Sequence, residues 1–215
     1  WLSRSELERA DRFRKASSRN QHIVGRGMAR RLLGCDAVPP EEICFDEEVH
    51  GKPFVTSPDA AKQPFNVAHT DGLVMCGVVN DSSLLLGVDV ERLSRQTDTK
   101  LAERYFSEPE IEYLRRCHTD RHRQDTFLRI WTLKESYIKA LGTGLVTPLA
   151  DFGFAEIESP TPRIEILNPE LEDGRTWKFF SLEPRPGFVA AVAVASHQPR
   201  EDFELSLRSF DDLVS

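Results

Sequence analysis

Residues 84–91 read Leu84-Leu85-Leu86-Gly87-Val88-Asp89-Val90-Glu91, an apolar run that ends in alternating valines and acids. This period of two predicts a β-strand with Val88 and Val90 on one face and both acids on the other. At about 3.3 Å per residue the acids lie roughly 7 Å apart at Cα, where like charges repel. The pair therefore indicates a site for a divalent cation with oxygen ligands, and the alternative is an edge strand with two solvated acids.

A second decisive stretch, residues 124–141, has helical periodicity. At 100° per residue one apolar stripe contains Phe127, Ile130, Trp131, Ile138 and Leu141. Lys134 falls within this stripe, where it needs an anion unless its stem passes along apolar surface to water. Glu135 lies at the edge of the stripe and Lys139 one turn further on, and the two are either functional groups or an ordinary surface pair.

The rest of the chain surrounds these two segments with further helices and strands. Helices are predicted over 19–34, ending at Gly34, and over 98–114. Strands are predicted at 43–45, 65–69 and 73–79, and later at 151–156, 163–166, 177–182 and 188–194. Each half thus has a helix followed by strands, which predicts an α+β fold of two similar lobes, residues 1–95 and 96–215.

The composition is that of an ordinary globular protein, with 40% hydrophobic and 29% charged residues among 215. No apolar run approaches the roughly 20 residues that span a bilayer, and no signal peptide opens the sequence, so we expect a cytoplasmic protein that does not bind membranes. The four cysteines lack CxxC spacing, which argues against a zinc knuckle or a disulfide framework.

Charge is distributed unevenly along the chain. The net charge is −7, yet residues 1–31 hold nine basic and three acidic residues, a local excess of 9 − 3 = +6. This asymmetry indicates a basic patch for an anionic partner on an acidic body, and it disfavours nucleic-acid binding, which prefers a basic domain. The alternative is a set of solvated helix faces.

Three shorter motifs carry groups that can act in catalysis or binding. Ser107-Glu108-Pro109-Glu110 fits a capping box, which accounts for Glu110 but leaves a catalytic role open. Gly51-Lys52-Pro53 is a turn that carries a cation, and it is either a phosphate contact or a solvated loop. Residues 65–70 end a predicted strand with His69, which is either a ligand contact or an ordinary core histidine.

Taken in order, these motifs resemble those of the Sfp-type 4′-phosphopantetheinyl transferases. The matching segments are Gly51-Lys52-Pro53, Phe65-Asn66-Val67-Ala68-His69-Thr70, Gly87-Val88-Asp89-Val90-Glu91, Phe106-Ser107-Glu108-Pro109-Glu110 and Trp131-Thr132-Leu133-Lys134-Glu135-Ser136-Tyr137-Ile138-Lys139. Each motif is weak alone, but five in order at ordinary spacings are highly specific.

The resemblance implies a pseudo-dimer of two α/β lobes with coenzyme A bound in the cleft between them. Asp89, Glu91 and Glu135 would hold Mg²⁺ or Mn²⁺, and the partner would be an acyl or peptidyl carrier protein of fatty-acid, polyketide or peptide synthesis. The two lobes would form the cleft internally, so we expect a monomer.

The resemblance also assigns roles in binding and catalysis. Coenzyme A would contact Arg9, Arg19, Lys52, His69, Thr70, Lys134 and Lys139. The family's FNxSHS motif has Ala68 and Thr70 here in place of serines, so a hydroxyl is kept at Thr70 alone. As the base that accepts the carrier serine proton we expect Glu135, with Glu110 as the second candidate and Lys139 balancing charge.

Two other functions compete with the transferase, and one surface is a candidate for docking. A non-catalytic module that binds coenzyme A or a carrier would have lost transfer, and a metal-dependent nuclease would use the strand acids but predicts a basic protein. Arginines 115, 116, 121 and 123 are either carrier-docking residues or a solvated charge cluster.

Overall fold

The computed structural model describes residues 1–34, 38–199 and 203–211. The helices are α1 (Arg4–Asp11), α2 (Ala16–Leu33), α3 (Ala102–Tyr105), α4 (Glu108–Arg115) and α5 (Asp120–Leu141). The strands are β1 (Cys44–Glu47), β2 (Pro53–Ser57), β3 (Phe65–Thr70), β4 (Leu73–Val78), β5 (Leu85–Arg92), β6 (Phe152–Ala155), β7 (Arg163–Ile166), β8 (Thr176–Leu182) and β9 (Phe188–Ser196). Short 3-10 helices lie at Pro40–Glu42, Asp59–Ala61, Thr99–Leu101, Gly144–Val146, Leu149–Asp151 and Pro169–Leu171.

All strand pairing in the described residues is antiparallel. Three two-stranded sheets are formed by β1 with β2, β3 with β4, and β6 with β7. The largest sheet has the order β5-β9-β8. Its β5–β9 pair joins strands that are about 100 residues apart in the chain. In this pairing Asp89 lies opposite Ala191 and Glu91 opposite Val189, both small or apolar.

Helix α5 covers one face of the β5-β9-β8 sheet. Its apolar stripe is buried as predicted, with Phe127, Ile130 and Ile138 at most 2% exposed. Tyr137 adds an aromatic contact, with its ring 4.5 Å from Phe152 and 4.6 Å from Trp177. The long helix is therefore held in a fixed rotation relative to β5 by packing along its whole length.

In the N-terminal half, α2 packs on the β3–β4 hairpin. Gly25 of α2 lies so close to this hairpin that a Cβ there would be 2.8 Å from a methyl group of Val67. The buried amide of Asn66 joins the hairpin to β5, because its Oδ1 accepts a hydrogen bond of 2.8 Å from the backbone N–H of Val88. Each half thus has a long helix on antiparallel strands, and the predicted α+β class is confirmed.

The structure also refines the predicted elements. The helix expected over 98–114 is interrupted, since α3 ends at Tyr105 and α4 begins after Ser107, whose capping box with Glu110 is formed as predicted. Helix α1 and strand β2 were missed, because both are short and their patterns are weak. The boundary near residue 95 stays a prediction, and the β5–β9 pair joins residues from both predicted lobes in one sheet.

Within the described residues, no helix combines the length and the apolar character needed to cross a membrane. The described cysteines, Cys44, Cys76 and Cys117, are all free thiols.

Candidate active site

The two strand acids are buried at the surface of contact between β5 and α5. Asp89 is 7% exposed and Glu91 is 8% exposed, so neither is one of the solvated acids of the alternative interpretation. Burial raises the pKa of Asp89, against the opposing effect of the Lys139 ammonium. Burial also raises the pKa of Glu91, which Arg95 opposes and Asp89 reinforces. Two carboxylates are therefore held where ionisation is costly, which points to a role other than folding.

Gly87 brings the strand against the helix. A Cβ at this position would lie 1.9 Å from the carbonyl oxygen of Ser136 and 2.4 Å from the backbone nitrogen of Ala140. Any side chain here would push β5 away from α5, so the glycine is required for the close approach. The motif glycine thus sets the distance between the strand acids and the side chains of α5.

Lys139 reaches across this contact to Asp89. Its Nζ lies 2.6 Å from Oδ1 of Asp89, in an ion pair that is partly shielded from solvent. The other oxygen of the same carboxylate, Oδ2, is buried and has no hydrogen-bond partner among the described residues. A buried carboxylate oxygen without a partner is costly, so this atom is available for a ligand.

Glu91 contacts one residue on each side of it. Thr70, at the end of β3, donates a hydrogen bond of 3.2 Å from Oγ1 to Oε2 of Glu91. The guanidinium of Arg95 pairs with the other oxygen, Oε1. Thr70 was predicted to contact coenzyme A; the structure places its hydroxyl on the acid, and the arginine was missed because it lies outside the motifs.

Glu135 lies next to both strand acids. Burial raises the pKa of Glu135, and the charges of Asp89 and Glu91 raise it further while Lys139 lowers it. The effect of the strand charges indicates that the Glu135 carboxylate faces the same site, and a joint role of the three acids as cation ligands stays a prediction. The group crosses the predicted lobe boundary, since Glu135 belongs to the C-terminal half.

The described residues contain no ready-made cluster of three acids, histidines or cysteines in coordinating positions. Asp89 Oδ1 is paired with Lys139 and Glu91 Oε1 with Arg95, so two cations share the acids. The donor set nonetheless fits a divalent cation, because it offers hard oxygen atoms, carboxylates whose charge is poorly compensated, and the unpartnered Oδ2 of Asp89.

A cavity of about 360 Å³ lies between α2 and β3, and none of the three acids lines it. His69 at the end of β3 and Arg9 of α1 line it, as do His22 and Arg26 of α2. Sequence reasoning gave the last two no definite role, although their i, i+4 spacing places them on one helix face. Arg26 pairs with Glu6 at 3.2 Å and burial lowers the pKa of His22, so the positive charge of this lining is partly compensated within the protein.

Two of the predicted basic contacts have partners within the protein. Arg9 Nη1 lies 2.8 Å from a carboxylate oxygen of Glu47, and both side chains are about half exposed. Arg19 pairs with Asp11 at 3.2 Å and does not line the His69 cavity. Arg9 is therefore placed to contact a ligand there, whereas the role of Arg19 stays a prediction without support from its position.

Lys52 of the Gly-Lys-Pro turn is directed at backbone carbonyl groups. Its Nζ donates to the carbonyl oxygens of Ala140, at 2.7 Å, and Leu86, at 3.3 Å. Burial lowers the pKa of Lys52, against the effect of Glu48. The lysine thus joins the turn to the end of α5 and to β5, and its predicted phosphate contact stays a prediction.

Lys134 and Glu110 form a pair in the protein core, away from the strand acids. Lys134 is 0% exposed, with Nζ 2.8 Å from Oε2 of Glu110 and hydrogen bonds to the carbonyl oxygens of Leu149, at 2.7 Å, and Phe152, at 2.6 Å. Glu110 is 1% exposed and also accepts hydrogen bonds from Ser107 and from Phe154 N–H.

These contacts correct two expectations. The anion that Lys134 requires is Glu110, not coenzyme A, because all three ammonium protons have protein acceptors. Burial lowers the pKa of Lys134, and the charge of Glu110 opposes this. Glu110 has both oxygens engaged and no access to a substrate hydroxyl, so the structure supports its capping role and not a role as base.

The four arginines proposed for docking are all paired with acids of their own segment. Arg115 and Arg116 contact Glu112, Arg121 contacts Asp125, and Arg123 contacts Asp120. Most of these side chains are well exposed, which favours the solvated charge cluster.

Replacing Glu135 with Gln is expected to stabilise the protein at pH 7.5 in the presence of a chelator. Since its pKa is raised, the folded state binds the Glu135 proton more tightly than the unfolded state does, and ionisation costs stability above that pKa. We expect a Tm higher by roughly 1–3 °C. The difference should shrink as the pH falls and vanish below about pH 3, where the carboxyl is protonated in both states.

Thermal unfolding at both pH values measures this effect, with Glu103→Gln as the control for loss of one negative charge at an exposed position. A lower Tm for Glu135→Gln at pH 7.5 would show that the carboxylate is stabilising where it lies.

The buried acids Asp89 and Glu91 of β5, with Lys139 of α5 beside them, define a candidate active site, and comparisons with known proteins specify the class. A family model described as the 4′-phosphopantetheinyl transferase superfamily (ACPS) matches residues 85–193, and the chain belongs to this superfamily. Those residues include β5, α5 and β9.

Curated relatives agree with the family model. The chain is 35% identical to the 4′-phosphopantetheinyl transferase HetI of Nostoc sp. over 198 residues, which cover 90% of this chain and 78% of the relative. It is 30% identical to the transferase gsp of Aneurinibacillus migulanus over 80% of this chain and 73% of the relative. Identity to Sfp of Bacillus subtilis is 26% over 100% of this chain and 90% of the relative. The predicted family, its fold and its class of activity are thereby confirmed.

Proposed function

We propose that this protein transfers the 4′-phosphopantetheine group of coenzyme A to a serine of an apo acyl or peptidyl carrier protein and releases adenosine 3′,5′-bisphosphate, in a reaction that depends on Mg²⁺ or Mn²⁺. The observation that supports the proposal is the buried acid pair Asp89 and Glu91 on β5, with Lys139 of α5 2.6 Å from Asp89 and with a pKa of Glu135 that the strand charges raise. It occurs in the part of the chain that matches the superfamily model.

Asp89, Glu91 and Glu135 are the residues that would hold the divalent cation. When bound, the cation would supply positive charge that stabilises a diphosphate as the bond between the pantetheine-side phosphorus and the bridging oxygen breaks. The protein itself contributes the low exposure of the two strand acids and the fixed position of α5, both of which limit water at the site. Lys139 adds a cation 2.6 Å from Asp89.

Glu135 is the group that we assign as base for the carrier serine. Burial and the charge of Asp89 raise the pKa of Glu135 in the metal-free protein, and Glu135 belongs to the same helix as Lys139. With Glu110 enclosed in its pair with Lys134, Glu135 is the better placed of the two acids considered. The serine hydroxyl would lose its proton to Glu135 as its oxygen attacks the phosphorus on the pantetheine side.

The nucleotide end of coenzyme A is assigned to the cavity of about 360 Å³ lined by His69, Arg9, His22 and Arg26. It begins at the end of β3, directly before Thr70, which contacts Glu91. A phosphate bound there and a diphosphate at the strand acids would thus be close together along one substrate. The cationic residues contribute charge complementarity and orientation.

The direct test is incubation of the purified protein with coenzyme A, Mg²⁺ and a panel of apo-carriers from fatty-acid, polyketide and peptide synthesis, with carrier mass as the readout. We expect the carrier mass to increase by one phosphopantetheine group. In the presence of a chelator no such increase is expected. Binding of coenzyme A without any mass gain across the panel would support the non-catalytic module instead. The panel also measures which carrier is preferred.

The same preparation tests the remaining expectations. Sedimentation in solution checks the predicted monomer. The nuclease alternative, which predicts a basic protein, disagrees with a net charge of −7. A cytoplasmic location stays a prediction from the sequence.

A further inference from the structure

Arg95 holds a position next to the strand acids that no sequence motif accounts for. It follows β5 by three residues, and its guanidinium pairs with Oε1 of Glu91. Its backbone is held in place, because Gln124 of α5 donates a hydrogen bond to its carbonyl oxygen. Its side chain is 48% exposed, so the guanidinium is free to change partner while the backbone stays fixed.

The charges at the site do not balance while Arg95 and Lys139 occupy the acids. Three carboxylates (Asp89, Glu91 and Glu135) and two cations (Lys139 and Arg95) sum to −1, which repels an anionic diphosphate. Adding a divalent cation changes the sum to +1. A cation that reaches Glu91 must compete with a guanidinium already on that carboxylate, and the displaced guanidinium then lacks an anion.

A cavity next to Arg95 has room for a phosphate group, which would supply the missing anion. This cavity, of about 420 Å³, is lined by His69, Thr70, Asp71, Glu91, Arg92, Ser94 and Arg95. His69 also lines the cavity to which we assign the nucleotide end of coenzyme A. A phosphate group that extends from His69 toward the strand acids would therefore come within the region that the Arg95 side chain borders.

We propose that Arg95 is an exchangeable counter-ion, which a divalent cation displaces from Glu91 and which then contacts the phosphate groups of coenzyme A. This inference rests on the proposed function, because it takes coenzyme A and a divalent cation as the ligands. The exchange couples the two binding events: the cation releases Arg95 for the coenzyme, and the coenzyme holds Arg95 away from the acid.

The test uses Arg95→Gln, with Arg92→Gln as a matched control. Arg92 lines the same cavity, carries the same charge and is 46% exposed, but it pairs with Asp71 at 2.9 Å instead of with a strand acid. Binding of Mn²⁺ alone, followed by electron paramagnetic resonance without coenzyme A, should be about fivefold or more tighter for Arg95→Gln than for wild type. Arg92→Gln should stay within about twofold, because its charge is solvated and screened.

A second measurement follows coenzyme A binding by calorimetry at saturating Mn²⁺. We expect Arg95→Gln to bind the coenzyme about fivefold or more weakly, and Arg95→Lys to recover part of that affinity, since an ammonium can still pair with a phosphate. The two effects have opposite signs, which a general disturbance of the site would not produce.

Mn²⁺ binding by Arg95→Gln that is no tighter than that of Arg92→Gln, or unchanged coenzyme affinity, would overturn the inference. If wild type still modifies a carrier in that case, the failure concerns Arg95 alone. A wild-type protein that binds neither Mn²⁺ nor coenzyme A would instead overturn the proposed function, and this inference with it.

Discussion

Asp89→Asn is expected to lower kcat/KM for carrier modification by about 10²- to 10³-fold or more at saturating Mg²⁺. The substitution keeps the size of the side chain but removes the negative charge of the carboxylate. Oδ1 of this carboxylate lies 2.6 Å from Lys139 Nζ, and its Oδ2 has no hydrogen-bond partner in the described part of the chain. With that charge the site loses a ligand for the cation and leaves the Lys139 ammonium without its acid. Glu135→Gln is expected to have an effect of the same order, since the proposal makes it both ligand and base.

Steady-state kinetics with an apo-carrier measures both variants, and Mn²⁺ binding in the absence of substrate separates loss of the cation from loss of the base. Glu103→Gln, an exposed change of the same type, should retain wild-type turnover. Turnover of Asp89→Asn within about tenfold of wild type, which corresponds to roughly 1.4 kcal/mol, would mean that the strand acids do not hold the catalytic cation.

Lys134→Met is expected to destabilise the protein by about 3–5 kcal/mol, because it leaves the carboxylate of Glu110 buried without its cation. Glu110→Gln should act in the same direction by leaving the ammonium unpaired. The double substitution should cost less than the sum of the two, since neither charge is then left alone in the core.

Urea unfolding measures these three variants, with Lys100→Met, at an exposed position, expected within about 0.5 kcal/mol of wild type. Coenzyme A binding distinguishes the structural role from the earlier expectation of a ligand. If Lys134→Met kept wild-type stability but bound coenzyme A about tenfold more weakly, Lys134 would contact a phosphate of the coenzyme, as first expected.

Local patterns predicted much of this molecule. The alternation of residues 84–91, the stripe of α5 and the capping box at Ser107 involve neighbours a few positions apart, and each was found where expected. The three acids were predicted from motifs that resemble those of the family, and their joint role as cation ligands stays a prediction. Predictions of this kind succeed when the interaction is encoded within one turn of helix or one strand.

Errors arose where the partner of a side chain comes from far along the chain. Lys134 was recognised as requiring an anion, but Glu110, which lies 24 residues earlier on another helix, could not be chosen over a phosphate. The hydrogen bonds from Thr70 to Glu91 and from the backbone N–H of Val88 to Asn66 likewise depend on how the β3–β4 hairpin packs against β5.

The sequence by itself determined the α+β class, the main helices and strands, and the candidate site residues Asp89, Glu91, Glu135 and Lys139. Only the tertiary structure decided that β5 pairs with β9, that Gly87 lets β5 touch α5, and that Arg95 rests on Glu91. The reason is that propensity and periodicity act between neighbours, whereas charge pairing and close packing depend on which distant surfaces exclude water from each other.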